Sequence, residues 1–249
     1  MTTISESVSV APILPSVRED VGTIAYWVSI GAAAGGLGGL VVGGIGGRLA
    51  MFVLRLTSND SVRGLESDDG FTIGRFDLLS TMSLLFVTMF LGVLFGLFVV
   101  LGRPFLPKRW MPAAWGLAGA TVGGAALIHK DGVDFTLVGP ASLAVALFIA
   151  IPCAGAALIA WLVGQLPRYW WKRRKATAVT SLALVPGIVF FPVAIVALLG
   201  SALWLLGGRI EQLRSLPEWR PARVAAIVVF AGVIILGGLT LAGDVEDVL

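Results

Sequence analysis

Charge is what this chain lacks most. Lys, Arg, Asp and Glu together make up 13% of its 249 residues, too few to wet the surface of a soluble domain of this length. Cysteine and histidine are scarcer still, with one of each. The lone Cys153, inside an apolar run, excludes a disulfide within the chain and any cysteine-based metal cluster. The lone His129 excludes a multi-histidine metal site within one subunit. Nor does the chain hold a P-loop, a strict Gly-x-Gly-x-x-Gly, a His-Glu-x-x-His or a Gly-x-Ser-x-Gly, so nucleotide-dependent and hydrolytic chemistry lose their usual supports. No cofactor is expected. Long polar stretches are missing too, which leaves no room for a separate soluble domain.

What the chain has is apolar length. Hydrophobic residues make up 57%, and the mean hydropathy is +0.93. Uncharged or nearly uncharged stretches run at about 23–47, 78–102, 113–128, 141–166, 178–207 and 224–242, and about 20 such residues cross a bilayer. The expected fold is therefore all-α: a polytopic transmembrane helical bundle of about six membrane segments. Residues 21–249 form one domain, with the segments at 178–249 closing it, behind a mobile tail at 1–20. That tail carries Glu6, Glu19 and Asp20 and does not resemble a cleavable signal.

The first apolar stretch carries a ladder of glycines at every fourth position: Gly31, Gly35, Gly39, Gly43 and Gly47. Residues four apart share a helix face, so the ladder forms a groove in which another helix can approach to backbone contact. In water each glycine would cost roughly 1 kcal/mol of helix propensity against Ala; in lipid the groove gives close packing. Gly38 falls on a different face, where a larger side chain is expected to be milder.

Orientation follows from Lys and Arg. If all six segments cross, nine cations collect on each side and the count decides nothing. The fifth stretch, 178–207, is long for one span and is broken by Pro186-Gly187 and Pro192. Its first reading is a kinked crossing helix. The second is a hairpin that enters and returns on one face, which changes the count to thirteen against five. Both readings keep the N-terminus, the 103–109 loop and the basic run Arg168-Tyr-Trp-Trp-Lys-Arg-Arg-Lys175 together on the cytoplasmic side of a plasma membrane.

The loops at 48–77 and 129–139 then face outward. Asp68-Asp-Gly-Phe-Thr-Ile73 and Asp131-Gly-Val-Asp-Phe-Thr-Leu137 each place an Asp-Gly turn shortly before a Phe-Thr-aliphatic triplet that leads into the next span. Segments 1 and 2 could thus be a helix-hairpin unit duplicated in segments 3 and 4. Gly46-Gly-Arg-Leu-Ala-Met51, Thr57-Ser58, Arg63-Gly64, Asp68-Asp-Gly-Phe71 and Asp131-Gly-Val-Asp-Phe-Thr136 resemble a group of uncharacterised multi-pass membrane proteins of high-GC Gram-positive bacteria. The resemblance covers roughly residues 30–165 and implies a bacterial plasma membrane, without an activity.

An outer polar cluster is the candidate site: Arg48, Asp68, Asp69, Arg75, His129, Asp131 and Asp134. Arginine at a membrane boundary is costly unless it snorkels or pairs, and the four aspartates are available partners. One reading is a clasp of ion pairs tying the two loops; the other is an acidic vestibule that gathers a cation. Three function classes compete. A helix-packing partner or scaffold subunit, using the glycine face against a second copy or another membrane protein, ranks first. Transport of a small solute or cation ranks second, because the spans hold almost no ionisable group. An enzyme ranks third, for want of a polar cluster within the spans. The lipid bilayer is the expected surrounding, and nucleic acid is not an expected partner.

Overall fold

The computed structural model describes residues 17–59, 78–128, 139–169, 195–196, 199–202 and 219–249, and all regular structure among them is helical. Helix α1 is a continuous rod: α-helical over Val17–Gly38, π-helical over Gly39–Gly46 and α-helical again over Gly47–Thr57. It starts inside the stretch expected as tail and carries on past the glycines to place Arg48 and Arg55 on the same helix. Helix α2 spans Leu78–Gly102. Helix α3 comprises Met111–Ala118, a π-helical stretch Gly119–Gly123 and a last turn Gly124–Leu127. Helix α4 spans Ala141–Tyr169 and α5 spans Arg220–Val248.

Four of these are long and apolar enough to cross a membrane: Gly22–Thr57, Leu78–Gly102, Ala141–Arg168 and Arg220–Val248. The expected count of six is thus four among the described residues. The third expected segment is the short α3, whose pieces of 8, 5 and 4 residues reach roughly 25 Å at 1.5 Å per residue, less than a bilayer core. The fifth, 178–207, lies mostly outside the described residues.

Helices α1 and α2 run antiparallel with their backbones in close approach. A Cβ built on Gly31 would lie 3.0 Å from the carbonyl oxygen of Gly96; on Gly35 and Gly39 it would run into the carbonyls of Gly92 and Thr88. The relation is mutual, because a Cβ on Gly92 or Gly96 would run into the carbonyl of Gly35 or Gly31. The π-helical stretch matters to this register. Positions four apart advance about 40° beyond a full turn in an α-helix, whereas in a π-helix, at about 4.4 residues per turn, they fall about 33° short. Entering π geometry at Gly39 reverses the drift, and a Cβ on Gly43 still lies 3.0 Å from the Thr88 side chain. By Gly47 nothing lies within 4 Å. Gly38 does not face open space: a Cβ there would run into the side chain of Ile159 on α4, which is itself buried. The expected milder position is thus itself a contact, with a side chain instead of a carbonyl, and Gly47 and Gly232 are among the glycines with no neighbour within 4 Å.

The α3–α4 pair has a similar plan. A Cβ on Gly119 would run into the carbonyl of Pro152, and one on Gly116 would lie 3.1 Å from the Ala157 methyl. Helix α5 lies along α3 in parallel: Phe230 meets Trp115 edge-on at 4.9 Å between centroids, a Cβ on Gly237 would come within 2.9 Å of Val122, and one on Gly124 within 3.2 Å of Leu241. No residue of α5 is buried.

Two apolar clusters define the ends of the bundle. Ile30, Ala34, Val99, Met111, Ile159, Ala160 and Val163 pack where α1 and α3 begin and α2 and α4 finish. Leu54, Ile128, Ala144 and Val145 pack at the far end, joined by Leu241, Val245 and Val248. Consequently Tyr169 at the end of α4 and Arg220 at the start of α5 open onto the same end, and Arg223 Nε donates to the Phe105 carbonyl there at 3.3 Å. A single crossing by the residues between them would require these two ends to lie on opposite sides. Of that stretch, Val196 packs beside Phe90 and Leu97 in the middle of α2, and a Cβ on Gly200 would lie 3.1 Å from Leu101 near the α2 terminus.

Candidate functional site

The far end gathers what the described residues contribute to the outer cluster. Helix α1 stops at Thr57 because Ser58 turns extended (φ −89°, ψ 156°). The Thr57 hydroxyl donates to the carbonyls of Val53 at 3.2 Å and Leu54 at 3.0 Å, and the Ser58 hydroxyl donates to that of Leu54 at 2.5 Å. The Leu54 carbonyl is one of the four left over at this helix C-terminus. Gly139, just before α4, has φ +68°, a left-handed conformation that glycine adopts without strain. A Cβ there would lie 3.1 Å from the Thr57 hydroxyl, so the exit of one loop and the return of the other are neighbours.

Arg48 is the one member of the predicted cluster within the described residues. It sits on α1 just after the glycine ladder, half-buried, with Nε and Nη2 shielded from solvent. Asp68, Asp69, Arg75, His129, Asp131 and Asp134 lie outside the described residues. Two further features share this end: Arg55 in the last turn of α1, and the carboxylates Asp244, Glu246 and Asp247 near the C-terminus of α5. Among the described residues no group of three or more His, Cys, Asp or Glu is placed to hold a metal ion. Cys153 is free and half-buried on α4.

The opposite end has another character. Arg103, Lys108, Arg109, Arg168, Arg220 and Arg223 all stand there, and among residues whose side chains are described no carboxylate joins them. The Arg103 guanidinium stacks 4.1 Å from the Trp27 ring centroid, worth about 1 kcal/mol or more when partly desolvated. Burial lowers its pKa, and Tyr26 acts in the opposite sense. Arg109 lies 5.7 Å over Trp110. Below them Trp115 is held edge-on by Phe95 at 5.3 Å and Phe230 at 4.9 Å.

Between the two ends the described helices carry no charged side chain. From Gly22 to Gly47 and through α2, α3, α4 up to Arg168, and from Val224 to Gly243, there is no Asp, Glu, Lys, Arg or His. The polar side chains at this depth turn inward on their own backbone: Ser29, fully buried, donates to the Tyr26 carbonyl at 2.7 Å, Thr88 to Leu84 at 2.8 Å and Thr121 to Leu117 at 3.0 Å. Sequence reasoning missed the partners of the ladder. Gly92 and Gly96 are a small-xxx-small pair in α2, the signal that would have found them. Comparison with protein families, with curated proteins and with solved structures finds no match, so the resemblance drawn from the loop motifs rests on those residues alone.

Proposed function

We propose that this protein is a multi-pass integral membrane scaffold whose task is helix packing, embedded in a bacterial plasma membrane with its N-terminus in the cytoplasm. One observation supports it above the others: the described bundle interior is filled by glycine, alanine and apolar side chains in near-backbone contact, with no Asp, Glu, Lys, Arg or His at mid-depth, and transport of a charged solute calls for such groups. The glycine face of α1 is read as the internal packing seam, engaged by α2. A second copy or another membrane protein would then attach along the exposed apolar sides, above all α5. The basic end favours the cytoplasmic assignment by the positive-inside rule. The similar build of α1–α2 and α3–α4, each with a π-interrupted glycine-rich first helix, favours a duplicated hairpin.

Purified protein in liposomes is expected to pass neither monovalent nor divalent cations above the rate of empty vesicles. A saturable flux abolished by neutralising Asp69 and Asp134 would replace the scaffold by the transport reading.

For the outer loops we favour the clasp. Asp69→Asn and Asp134→Asn should each destabilise the fold by about 1 to 3 kcal/mol by stranding a partly desolvated arginine, while calcium leaves the melting temperature unchanged. A calcium-dependent rise in melting temperature, lost in both variants, would instead establish a cation site, since a ligand stabilises the state it binds.

A further inference from the structure

The cations at the N-terminal end of α1 are not spread evenly. Lys108 and Arg109 on the α2–α3 loop and Arg220 and Arg223 at the start of α5 are all exposed. Two indoles stand among them, Trp110 at 62% and Trp219 at 58% exposure. The loop and the helix are tied by the Arg223–Phe105 bond, so these six side chains belong to one surface built from two parts of the chain. Behind it Arg103 is already engaged with Trp27. Among residues whose side chains are described, no carboxylate joins these cations; Glu218 precedes Trp219 in sequence.

We propose that this surface binds the headgroup of an anionic phospholipid, a phosphodiester without a compensating amine, and that the lipid clamps α5 to the bundle. The inference rests on the placement of the bundle across a bilayer. Three observations carry it. The patch lies at the ends of spanning helices, where lipid phosphate is the anion within reach. Exposed indoles flanked by Lys and Arg suit that depth, with the ring among glycerol carbonyls and the cations at phosphate. Finally, α5 has no buried residue and meets its neighbours along one side, through Phe230, Gly237 and Leu241. A headgroup held by Lys108 and Arg109 on one part and Arg220 and Arg223 on the other bridges the weakest joint in the fold.

The test uses the full chain in vesicles of phosphatidylcholine alone or with phosphatidylglycerol, and measures retention of each spin-labelled lipid together with thermal unfolding. Wild type should retain phosphatidylglycerol at least about tenfold over phosphatidylcholine and melt higher in its presence, each cation near the headgroup being worth about fivefold. Lys108→Gln with Arg109→Gln, which leaves the Arg223–Phe105 bond in place, should bring the ratio to within about twofold of unity. Arg55→Gln, at the other end, should leave it unchanged. Equal retention of the two lipids by wild type, or equal loss with Arg55→Gln, overturns the proposal. So does a matching stabilisation of detergent-purified protein by millimolar inorganic phosphate, which would mark a free-anion site. Failure of the protein to float with vesicles of either composition would instead remove the membrane placement itself.

Discussion

Gly35→Leu and Gly92→Leu are each expected to destabilise the fold by about 3 kcal/mol or more, the upper range for overpacking. The reason is the identity of the atom that the new side chain meets. At Gly35 it is the carbonyl of Gly92, and at Gly92 the carbonyl of Gly35; a carbonyl cannot swing away as a flexible side chain tip can, so the helices themselves must separate. Separation also removes the adjoining contacts at Gly31–Gly96 and Gly39–Thr88, which share the same backbones. Gly47→Leu and Gly232→Leu, with nothing within 4 Å, serve as controls and should stay within about 0.5 kcal/mol of wild type. Thermal unfolding of the detergent-purified variants measures the difference. Equal melting temperatures for Gly35→Leu and Gly47→Leu would show that the seam bears no weight.

The second large effect is a matter of sides. With Cys153 replaced by Ala, single cysteines at Ala176 and Ser215 should react with a membrane-impermeant maleimide from the same side of the membrane. Those at Ser67 and Leu249 should react from the other. The expectation follows from the helix ends: α4 descends to the end where α3 begins, and α5 starts there, with Arg223 bonded to the Phe105 carbonyl. A single kinked crossing between α4 and α5, the first reading of residues 178–207, would put those two ends on opposite sides. Most of that stretch lies outside the described residues, and the labelling decides between its two readings. With both ends on one side the asymmetry of cations becomes thirteen to five, with the larger number inside. Labelling of Ser215 from the Ser67 side would restore the single crossing and reverse α5.

How much of this was legible beforehand varies by feature. Apolar runs announced α2, α4 and α5 to within a few residues, because a bilayer imposes a length on any uncharged helix. Of the glycine ladder, Gly31, Gly35, Gly39 and Gly43 lie against α2 and Gly47 against nothing; period-four spacing describes one surface and is silent about which helix covers it. The inward face of Gly38 was illegible for the same reason, since Ile159 lies more than a hundred residues away in sequence. The π-helical stretches were not foreseen either. Glycine-rich sequence tolerates them without requiring them, and the choice is settled by packing. Arg48 was placed on α1 correctly as the helix continued past Gly47, whereas Asp68, Asp69, Arg75, His129, Asp131 and Asp134 fall outside the described residues. The basic end could be read as an orientation signal; its assembly into a surface depends on α5 returning beside the 103–110 loop, which periodicity does not encode.

The π-helical stretch in α1 also works as a phase setter. An α-helix advances each residue by about 100° around its axis, so what lies beyond Gly46 is clocked by how many residues the wide turns absorb. Removing one residue from Gly39–Gly46 would let the stretch relax to α geometry while the seam below stayed seated on α2. Arg48 and Arg55 would then rotate by about an eighth of a turn, because seven α-helical steps turn about 700° where the eight π-helical ones turn about 655°. The bearing of the two outer arginines is therefore decided by glycines that never touch them. Any change in the number of residues between Gly39 and Gly47 steers the polar end of the molecule without altering a single one of its charges.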